Sequence, residues 1–464
     1  MKEFTFDAVV IGFGKAGKTL SGALAKRGSR VALVEMDAGM YGGTCINVGC
    51  IPSKSLYTSA QKLPADAGAA AQDAWFEGAI AEKRRLTGML RQKNYDKLNT
   101  LENVTIIDGK ARFTAPLTVN VTAARDQLIA GQSVSAGDEL QLTGADVFIN
   151  TGSTSFLPNI PGIRETPGVY TSTGLMDLDR RPERLVVLGG GYIGLEFSSM
   201  FAAYGSQVTV LQDSGVFLPR EDTDVAAELR SELEAQGVKF IFNAKTTKIA
   251  EGTNGPEVTF AGENGEETLA ADAVLIATGR IPNTRDLNCE AAGVKLTPRG
   301  AVEVDDFLRT SAPHVWAMGD VNGGLQHTYV SLDDYRVVLS QLTGGTYSRA
   351  DRKNVPYSVF LKTPYSRVGL NEREAREAGY EIKVNKLPTA AVPKAQVLRA
   401  PSGFLKAVID AKTGRILGAM LICQESYEMI NLVKLAIDLG ADASVLRDRI
   451  YTHPTMTEAF NDLF

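Results

Sequence analysis

The sequence predicts an α/β protein with two Rossmann-like domains and a third, α+β domain at its C-terminal end. Two observations predict the Rossmann-like domains: a strand, glycine triad, helix and strand occur twice in that order, and the internal spacing is the same both times. From about Arg352 the pattern changes to strands, helices and turns without a glycine triad, which indicates the third domain. A length of 464 residues suits about three domains.

The first repeat begins with an apolar strand that leads directly into three glycines. These are Gly12, Gly14 and Gly17. They give a tight turn, room for a pyrophosphate and close helix packing, and the helix that follows presents its positive dipole end. A helical pattern runs to about Arg27, and a strand over 30–34 ends on Glu35, whose carboxylate can bond a ribose hydroxyl. This unit is predicted to bind a dinucleotide.

The second repeat has the same construction. Its glycines are Gly189, Gly191 and Gly194. A strand over Gln207–Leu211 follows, and Gln212 stands 23 residues after the first glycine, as Glu35 does in the first repeat. Two such units predict two dinucleotides. Glutamine can bond a ribose but does not repel a 2′-phosphate, so the choice between NADH and NADPH stays open. We favour NADH, because the nearest following basic residue is Arg220.

The remaining segments complete the predicted organisation. A long helix is predicted over Trp75–Asn99, and strands over Val104–Asp108 and Ala145–Asn150. The predicted boundaries divide the chain into four segments: 1–150, 151–279, 280–350 and 351–464.

Composition and charge exclude several classes of protein. Apolar residues make up 44% and charged residues 22% of the chain, which excludes disordered and collagen-like proteins. A net charge of −5 disfavours nucleic acid as a partner. No apolar run approaches the length of a membrane span, and the N-terminus makes a poor signal peptide, so we expect a cytoplasmic protein.

Four cysteines are too few for a secreted disulfide scaffold. Cys45 and Cys50 stand five positions apart, and in a reducing compartment such a pair is more often catalytic or metal-binding than structural. Cys289 and Cys423 are interpreted as structural. The three histidines, His314, His327 and His453, are too few for a histidine-rich metal site, and no structural metal is predicted.

One segment is specific enough to suggest a family. Gly42-Gly-Thr-Cys-Ile-Asn-Val-Gly-Cys-Ile-Pro-Ser-Lys54, with the two glycine triads, resembles the class I pyridine nucleotide-disulfide oxidoreductases over essentially the whole chain. This family includes lipoamide dehydrogenase, glutathione reductase and mercuric reductase. The segments starting at Gly12 and Ser331 and the C-terminal Asn461-Asp-Leu-Phe look most similar to the bacterial reactive-chlorine-resistance branch, which lies near mercuric reductase and is associated with copper(II) reduction.

The resemblance implies roles for the cysteine pair and the charges near it. Cys50 would lie against the flavin and take its electrons, and Cys45 would face the acceptor as the interchange thiol. Lys54 would stabilise the reduced flavin and pair with an acid that matches Glu196. A substrate metal would bind at Cys45 and Cys50. Pro52 suits the first position of a helix, whose start would favour a nearby thiolate.

The resemblance also implies two cofactor sites, for FAD and for NADH or NADPH as co-substrate. In this interpretation, 1–150 binds FAD, 151–279 binds NAD(P)H, 280–350 completes the FAD site and 351–464 forms the dimer interface. The implied FAD residues are Gly12, Gly14, Gly17, Glu35, Gly43, Thr44, Lys54, Ala111, Gly152 and Asp320. The implied NAD(P)H residues are Gly189, Gly191, Tyr192, Gly194, Gln212 and Gly279, with Tyr192 matching the family's nicotinamide gate.

The C-terminal Thr452-His-Pro-Thr-Met-Thr-Glu segment supplies the last implied catalytic pair. Pro454 suits the first position of a helix, which would place His453 at the cap and Glu458 about one turn later. An acid on one ring nitrogen would orient the imidazole and raise its basicity. In the family this histidine comes from the other subunit, so the resemblance implies a homodimer with shared active sites.

The sequence therefore predicts a flavin-dependent NAD(P)H oxidoreductase with a redox-active Cys45–Cys50 disulfide, reducing a metal ion such as copper(II) during reactive-chlorine stress. The chain has neither a C-terminal cysteine pair nor an N-terminal metal-binding cysteine pair, so dedicated mercury detoxification is disfavoured. One alternative is a reductase of organic disulfides, similar to lipoamide dehydrogenase, which His453 and Glu458 keep open. The other is a hypochlorite-responsive redox sensor with little turnover, which the nicotinamide unit disfavours.

Overall fold

The computed structural model describes residues 1–263 and 265–464. Contacts divide the chain into two units, each made of three stretches of sequence. The first unit contains residues 1–56, 78–156 and 279–351, and the second contains 57–77, 157–278 and 352–464.

Strands and helices follow one another along most of the chain. The strands are β1 (Lys2–Ile11), β2 (Val31–Glu35), β3 (Val104–Ala115), β4 (Thr118–Ala123), β5 (Gln127–Ile129), β6 (Gln132–Val134), β7 (Glu139–Ile149), β8 (Ser153–Ser155), β9 (Val169–Thr171), β10 (Arg184–Leu188), β11 (Gln207–Leu211), β12 (Lys239–Ile241), β13 (Lys245–Gly252), β14 (Gly255–Gly262), β15 (Gly265–Ala270), β16 (Ala273–Ile276), β17 (Arg280–Pro282), β18 (Val315–Ala317), β19 (Tyr357–Val359), β20 (Tyr365–Gly369), β21 (Ile382–Pro388), β22 (Phe404–Asp410) and β23 (Ile416–Ile422). The α-helices are α1 (Lys15–Ala25), α2 (Thr44–Asn47), α3 (Cys50–Ala60), α4 (Ala69–Asn99), α5 (Ser172–Leu175), α6 (Tyr192–Ala203), α7 (Thr223–Ala235), α8 (Thr328–Leu342), α9 (Glu372–Glu377), α10 (Pro393–Val397), α11 (Ser426–Asp438), α12 (Ser444–Arg447) and α13 (Phe460–Leu463).

The first unit is built on a sheet whose parallel part has the strand order β3-β2-β1-β7-β18. The long strands β3 and β7 continue past this part and pair antiparallel with β4. The apolar end of β1 is buried on both faces, as expected for a central parallel strand. Helices α1 and α8 cover one face with Leu20, Val337 and Val338. This order brings the carboxyl ends of β1, β2 and β7 to one edge, where the first glycine loop lies.

The second unit contains a parallel sheet, β12-β11-β10-β16-β9, and an antiparallel three-stranded sheet, β13-β14-β15. The apolar strands β10 and β16 are central, and the second glycine loop follows β10 directly. The two Rossmann-like sheets therefore repeat the same construction, with a glycine loop between the first strand and the first helix.

The second unit also contains the C-terminal antiparallel sheet, β19-β20-β23-β22-β21. Helix α11 buries Met429, Ile430 and Val433 in the core of this part. Its other side exposes Leu432 and Leu435, and Leu439, directly after the helix, is exposed too.

Most predicted elements are present, with different bounds. The helix predicted over Trp75–Asn99 begins earlier, at Ala69. The strand predicted over Val104–Asp108 is part of the longer β3, and the one predicted over Ala145–Asn150 begins earlier, at Glu139, and ends one residue sooner, at Ile149. Strand Gln207–Leu211 has the predicted bounds. In the part of the chain that the structure describes, no helix combines the length and apolarity needed to cross a bilayer.

The two helix starts predicted from prolines are wrong. Helix α3 begins at Cys50, two residues before Pro52, because a proline is tolerated throughout a first helical turn, whose N–H groups have no partner within the helix. His453 and Pro454 lie in a loop, and the next regular element is a 3₁₀ turn over Thr457–Ala459. The His453–Pro454 peptide bond is cis.

Candidate active site

The two cysteines of the sequence motif lie at neighbouring helix starts in the first unit. Cys45 is the second residue of α2, and Cys50 is the first residue of α3. Both are free thiols, with Cys50 exposed and Cys45 half-buried. A Cβ atom at Gly49 would lie 2.9 Å from the carbonyl oxygen of Thr44 and 3.2 Å from the Cα atom of Cys45. The close approach of the two backbone segments therefore requires glycine between the cysteines.

The two thiols differ strongly in acidity. A hydrogen bond with the Cys50 thiol lowers the pKa of Cys45 to about 6, although burial acts in the opposite direction. A hydrogen bond with Thr328 and the positive charge of Lys18 also lower this pKa. The contact between the two thiols, with burial, raises the pKa of Cys50. The contact therefore favours a Cys45 thiolate that accepts a hydrogen bond from the Cys50 thiol, and a thiolate is the form that attacks an acceptor or binds a soft metal.

The sequence analysis missed two of the residues around this thiolate. Thr328 begins α8, and its hydroxyl lies 3.9 Å from Sγ of Cys50. Lys18, on α1, donates to the side-chain oxygen of Asn94 at 2.5 Å and to the carbonyl oxygen of Gly42 at 3.4 Å. Burial lowers the pKa of Lys18 to about 8. Neither residue belongs to a local pattern with the cysteines, so no signal in the sequence could have found them.

The first glycine loop and Glu35 lie together, as their spacing predicts. Gly12 turns with φ +106°, and α1 begins after Gly14, which offers no side-chain cap to the helix. One carboxylate oxygen of Glu35 accepts from the backbone N–H of Phe13 at 2.9 Å. The other accepts from the N–H of Met36 at 2.9 Å. Burial raises the pKa of Glu35 to about 7.

Asn150 organises this loop and was also missed as a site residue. Its amide oxygen accepts from the N–H of Gly17 at 2.9 Å, and its amide nitrogen donates to the carbonyl oxygen of Met318 at 2.6 Å. A Cβ atom at Gly12 or Gly14 would lie 2.3 Å or 2.6 Å from oxygen atoms of Asn150. Both glycines are therefore required by Asn150, the residue that directly follows β7.

The other predicted FAD residues are spread around the same unit. Gly43 has φ +81° and lies against Gly14, where an added Cβ would be 2.7 Å from the Gly14 Cα atom. Thr44 begins α2, and Gly152, with φ +70°, lies just beyond the end of β7. Ala111 lies on β3, opposite Val121.

Asp320 lies in a 3₁₀ turn just after β18 and belongs to a polar cluster. Its carboxylate accepts from the hydroxyl of Ser153 at 2.7 Å. Arg280 donates to the same hydroxyl at 2.9 Å and to the Ser153 carbonyl oxygen at 2.6 Å, and burial lowers the pKa of Arg280. This cluster orients the Asp320 carboxylate, and the sequence analysis found only its acid.

In the second unit, Gln212 has the position relative to its loop that Glu35 has in the first. Its side-chain oxygen accepts from the N–H of Gly190 at 2.8 Å, and its nitrogen donates to Ser214 at 3.0 Å. Gly194 packs against Gly189, where a Cβ atom would lie 2.1 Å from the carbonyl oxygen. In contrast, a Cβ atom at Gly191 would have no described atom within 4 Å, which leaves space at the start of α6.

The remaining predicted residues lie on separate elements. Gly279 precedes β17 with φ +120°, and a Cβ atom there would meet no described atom within 4 Å. Lys54 lies one turn after Cys50 on α3. Glu196, on α6, accepts from the N–H of Phe360 at 2.9 Å. Tyr192 is the first residue of α6, directly after Gly191.

The structure brings His453 and Glu458 together despite the missing helix cap. Nδ1 of His453 lies 2.7 Å from a carboxylate oxygen of Glu458. The His453 side chain is 70% exposed, while that of Glu458 is 17% exposed. The imidazole is thus held by an acid at one ring nitrogen, while much of the ring faces solvent. This arrangement suits an imidazole that exchanges a proton with a group that does not belong to the same chain.

Comparisons with known proteins define the class. The family model described as pyridine nucleotide-disulphide oxidoreductase matches residues 6–334, and the model of its dimerisation domain matches residues 355–464. The chain therefore belongs to the pyridine nucleotide-disulphide oxidoreductases, as its motifs predicted. It is a flavin-dependent oxidoreductase, and its cofactors are FAD and NAD(P)H.

Individual relatives place it more narrowly. A protein of Escherichia coli K12, named probable pyridine nucleotide-disulfide oxidoreductase RclA, is 50% identical over 99% of this chain and 98% of its own. A structure described as the Cu(II) complex of the HOCl-induced flavoprotein disulfide reductase RclA from Escherichia coli has a TM-score of 0.90 and 49% identity, covering 98% of this chain and 99% of that one. Mercuric reductase of Bacillus cereus is 31% identical over 98% of this chain and 70% of its own length. Dihydrolipoyl dehydrogenase of Mycobacterium bovis is 32% identical over 99% of this chain and 97% of its own length. The predicted similarity to the reactive-chlorine-resistance branch is confirmed.

The described residues fit the two cofactors. Both α1 and α6 begin after a glycine that offers no side-chain cap, so no capping side chain fills the loop and the positive dipole end of each helix faces it, which favours a pyrophosphate. Glu35 and Gln212 hold matching positions beside these loops, where each can bond a ribose.

Proposed function

We propose that the chain transfers electrons from NAD(P)H to a soft metal ion such as copper(II) through a redox-active Cys45–Cys50 pair, as part of a defence against reactive chlorine. The observation that carries the proposal is the pair of free thiols at neighbouring helix starts, in which the hydrogen bond from Cys50 lowers the pKa of Cys45 and favours its thiolate. The RclA relative, an HOCl-induced reductase solved with Cu(II), supports the choice of acceptor and setting.

The protein's own groups would perform the acceptor step. The Cys45 thiolate and the Cys50 thiol give up one electron each to two copper(II) ions, a sulfur–sulfur bond forms, and the Cys50 proton leaves. Thiolates bind soft metal ions well, so Cys45 would also provide the binding site for the metal before the electrons pass. Bound FAD supplies the hydride acceptance and two-electron transfer that return the disulfide to the dithiol. Lys54, one turn after Cys50, would place a positive charge near this step.

We propose FAD and nicotinamide sites in the positions that the glycine loops support. Glu35 and Asp320 would bond hydroxyl groups of FAD, and the loop of Gly12 and Gly14 would hold its pyrophosphate. Gln212 would bond a ribose of the nicotinamide dinucleotide without selecting strictly against a 2′-phosphate, with NADH favoured. The four-segment division of the chain, with boundaries near 150, 279 and 350, remains part of this proposal.

A reductase of organic disulfides is the second candidate, and the 2.7 Å contact between His453 and Glu458 favours it. In that reaction the Cys45 thiolate attacks one sulfur of the substrate, and the leaving thiolate takes a proton from the protonated His453 of the partner subunit. Cys50 then gives its proton to the now neutral His453 and attacks Cys45, and the second substrate thiolate leaves, takes that proton and so restores the Cys45–Cys50 disulfide. Copper reduction has no leaving thiolate, so only the second candidate requires this proton.

The test is turnover of the FAD-loaded protein with parallel acceptors. NADH and NADPH oxidation is measured with copper(II), mercury(II), lipoamide and glutathione disulfide. We expect the fastest turnover with copper(II) and its loss in the Cys45→Ser/Cys50→Ser variant. Cys289→Ser is the matched control, since burial raises the pKa of Cys289 to about 11 and this thiol should not react.

The outcomes separate the candidates. Copper(II) turnover that survives the double substitution would sink the proposed role of the pair. Faster turnover with lipoamide or glutathione disulfide would replace the metal acceptor with a disulfide. Slow turnover with all four acceptors would contradict both reductase proposals and leave the sensor.

A further inference from the structure

The second unit buries one carboxylate that gathers three phenol groups. Glu221 lies between β11 and α7, and its side chain has 0% exposed surface. One of its carboxylate oxygens accepts hydrogen bonds from the hydroxyl of Tyr192 and, at 2.5 Å, from that of Tyr357. The other accepts from the hydroxyl of Tyr365 at 2.5 Å and from the guanidinium of Arg367 at 3.3 Å. The carboxylate keeps three donors even without Tyr192.

One of these phenols stands at the entrance to the second glycine loop. Tyr192 begins α6 directly after Gly191, next to the space that Gly191 leaves open. Its ring is partly exposed, and the guanidinium of Arg220 lies 5.9 Å from the ring centre. Tyr192 is therefore the one member of the cluster placed at the nicotinamide loop, and the hydrogen bond to Glu221 ties its ring to a segment 29 residues further along the chain.

The resemblance implies that the Tyr192 ring gates the nicotinamide, and we propose that Glu221 is a positioning residue that latches this ring in the nicotinamide-free enzyme, so that a dinucleotide that moves the ring must break this hydrogen bond. The inference rests on the proposed function in one respect, which is that the second glycine loop binds the nicotinamide dinucleotide. Tyr357 shares the same carboxylate oxygen, lies 3.3 Å from the Tyr192 hydroxyl and keeps that oxygen in place.

The latch makes binding weaker than it would otherwise be. The contact exists in the free enzyme and is lost in the complex, so its free energy is subtracted from that of binding. A hydrogen bond to a charged group is stronger than one between neutral groups. Burial, with the nearby Tyr357 and Glu221, raises the pKa of Tyr192, so the phenol remains a donor across the working range of pH.

Rapid mixing of the FAD-loaded enzyme with NADH, and separately with NADPH, tests the latch. The flavin absorbance reports reduction, and its dependence on nicotinamide concentration gives an apparent Kd and a limiting rate. In Tyr192→Phe, which keeps the ring, we expect the apparent Kd to fall about tenfold, the loss of one charge-assisted hydrogen bond. The limiting rate from the same traces separates an effect on binding from an effect on electron transfer.

Tyr365→Phe is the matched control. It removes a hydroxyl bound to the same carboxylate but leaves the bond between Tyr192 and Glu221 intact. It should lower the melting temperature without changing the apparent Kd. Glu221→Gln should also lower the apparent Kd, and its effect should not add to that of Tyr192→Phe, since both weaken one contact.

The latch is refuted if Tyr192→Phe leaves the apparent Kd unchanged or raises it, or if Tyr365→Phe lowers it equally. These outcomes differ from a failure of the proposed function. Flavin reduction precedes any acceptor, so a wild-type flavin that NADH and NADPH both fail to reduce would contradict the nicotinamide site itself. A reducible flavin with no metal turnover would contradict only the proposed acceptor.

Discussion

At the scale of single residues, the main consequence of the structure is an acidic Cys45. Iodoacetamide alkylation of the reduced enzyme should reach half its maximal rate near pH 6 and level off above pH 7, because the pKa of Cys45 is lowered to about 6. The rate falls below pH 6 because the thiolate, which is the form that reacts with iodoacetamide, becomes protonated there. Mass spectrometry of peptides cut after a timed reaction measures each cysteine separately.

The internal control for this experiment is the pair of buried cysteines. Burial raises the pKa of Cys289 to about 11 and that of Cys423 to about 12, so neither should be alkylated in the native protein at pH 7. Thr328→Val, which removes a supporting hydroxyl, should move the Cys45 midpoint to higher pH. A Cys45 midpoint near that of a free thiol, about 8.5, would contradict the assigned acidity.

Residues also differ in how far the sequence could predict them. The glycines, Glu35 and the cysteines follow local spacing, which reflects contacts within one strand–loop–helix unit. Thr328, Asn150 and Glu221 act through contacts with residues far away in the sequence, where no period or motif joins the partners. Gln212 was predictable because it repeats the spacing of Glu35.

At the scale of elements, the turn between α2 and α3 sets the position of the Cys45 thiol relative to the Cys50 thiol. Gly49→Ala should lower acceptor turnover roughly a hundredfold, because a misplacement of about 1 Å is enough for such a loss. The added Cβ would otherwise lie 2.9 Å from the Thr44 carbonyl oxygen, so backbone must move. Flavin reduction by nicotinamide should be retained, since the change lies at the cysteine pair.

Gly88→Ala is the matched control for this substitution. Gly88 lies inside α4, where a Cβ atom would have no described atom within 4 Å. Alanine there should leave turnover unchanged and stabilise the protein by about 0.5–1 kcal/mol, measured by denaturant unfolding. Equal turnover of Gly49→Ala and wild type would mean that the close backbone approach is not needed.

Element boundaries were less predictable than the elements. The strands on either side of each glycine loop were predicted because apolar runs and glycines coincide there. The start of α4 was missed by six residues, because Ala69 to Ala74 has little apolar periodicity. The helix predicted at Pro454 does not form, since a proline suits a first helical turn but does not by itself create one.

At the scale of the whole molecule, the C-terminal part has a face suited to a second copy of the chain. Residues 355–464 match the family's dimerisation domain. Leu432, Leu435 and Leu439, at intervals of three and four along α11 and its end, are all exposed in the single chain. Regularly spaced exposed leucines are typical of an interface. We therefore expect a homodimer, and with it the supply of His453 by the partner subunit.

Mixed dimers test that exchange directly. Cys45→Ser and His453→Ala homodimers should each be inactive with a disulfide acceptor that requires both residues. After they are unfolded, mixed in equal amounts and refolded with FAD, half of the dimers should carry one of each chain.

If the sites are shared, each mixed dimer has one intact site, which joins the wild-type Cys45 of one chain to the wild-type His453 of the other. Activity should then return to about a quarter of that of wild type treated identically, as two-fold symmetry requires. If Cys45 and His453 of the same chain work together, no mixed dimer has an intact site and no activity returns. The two arrangements thus give opposite results from the same pair of variants.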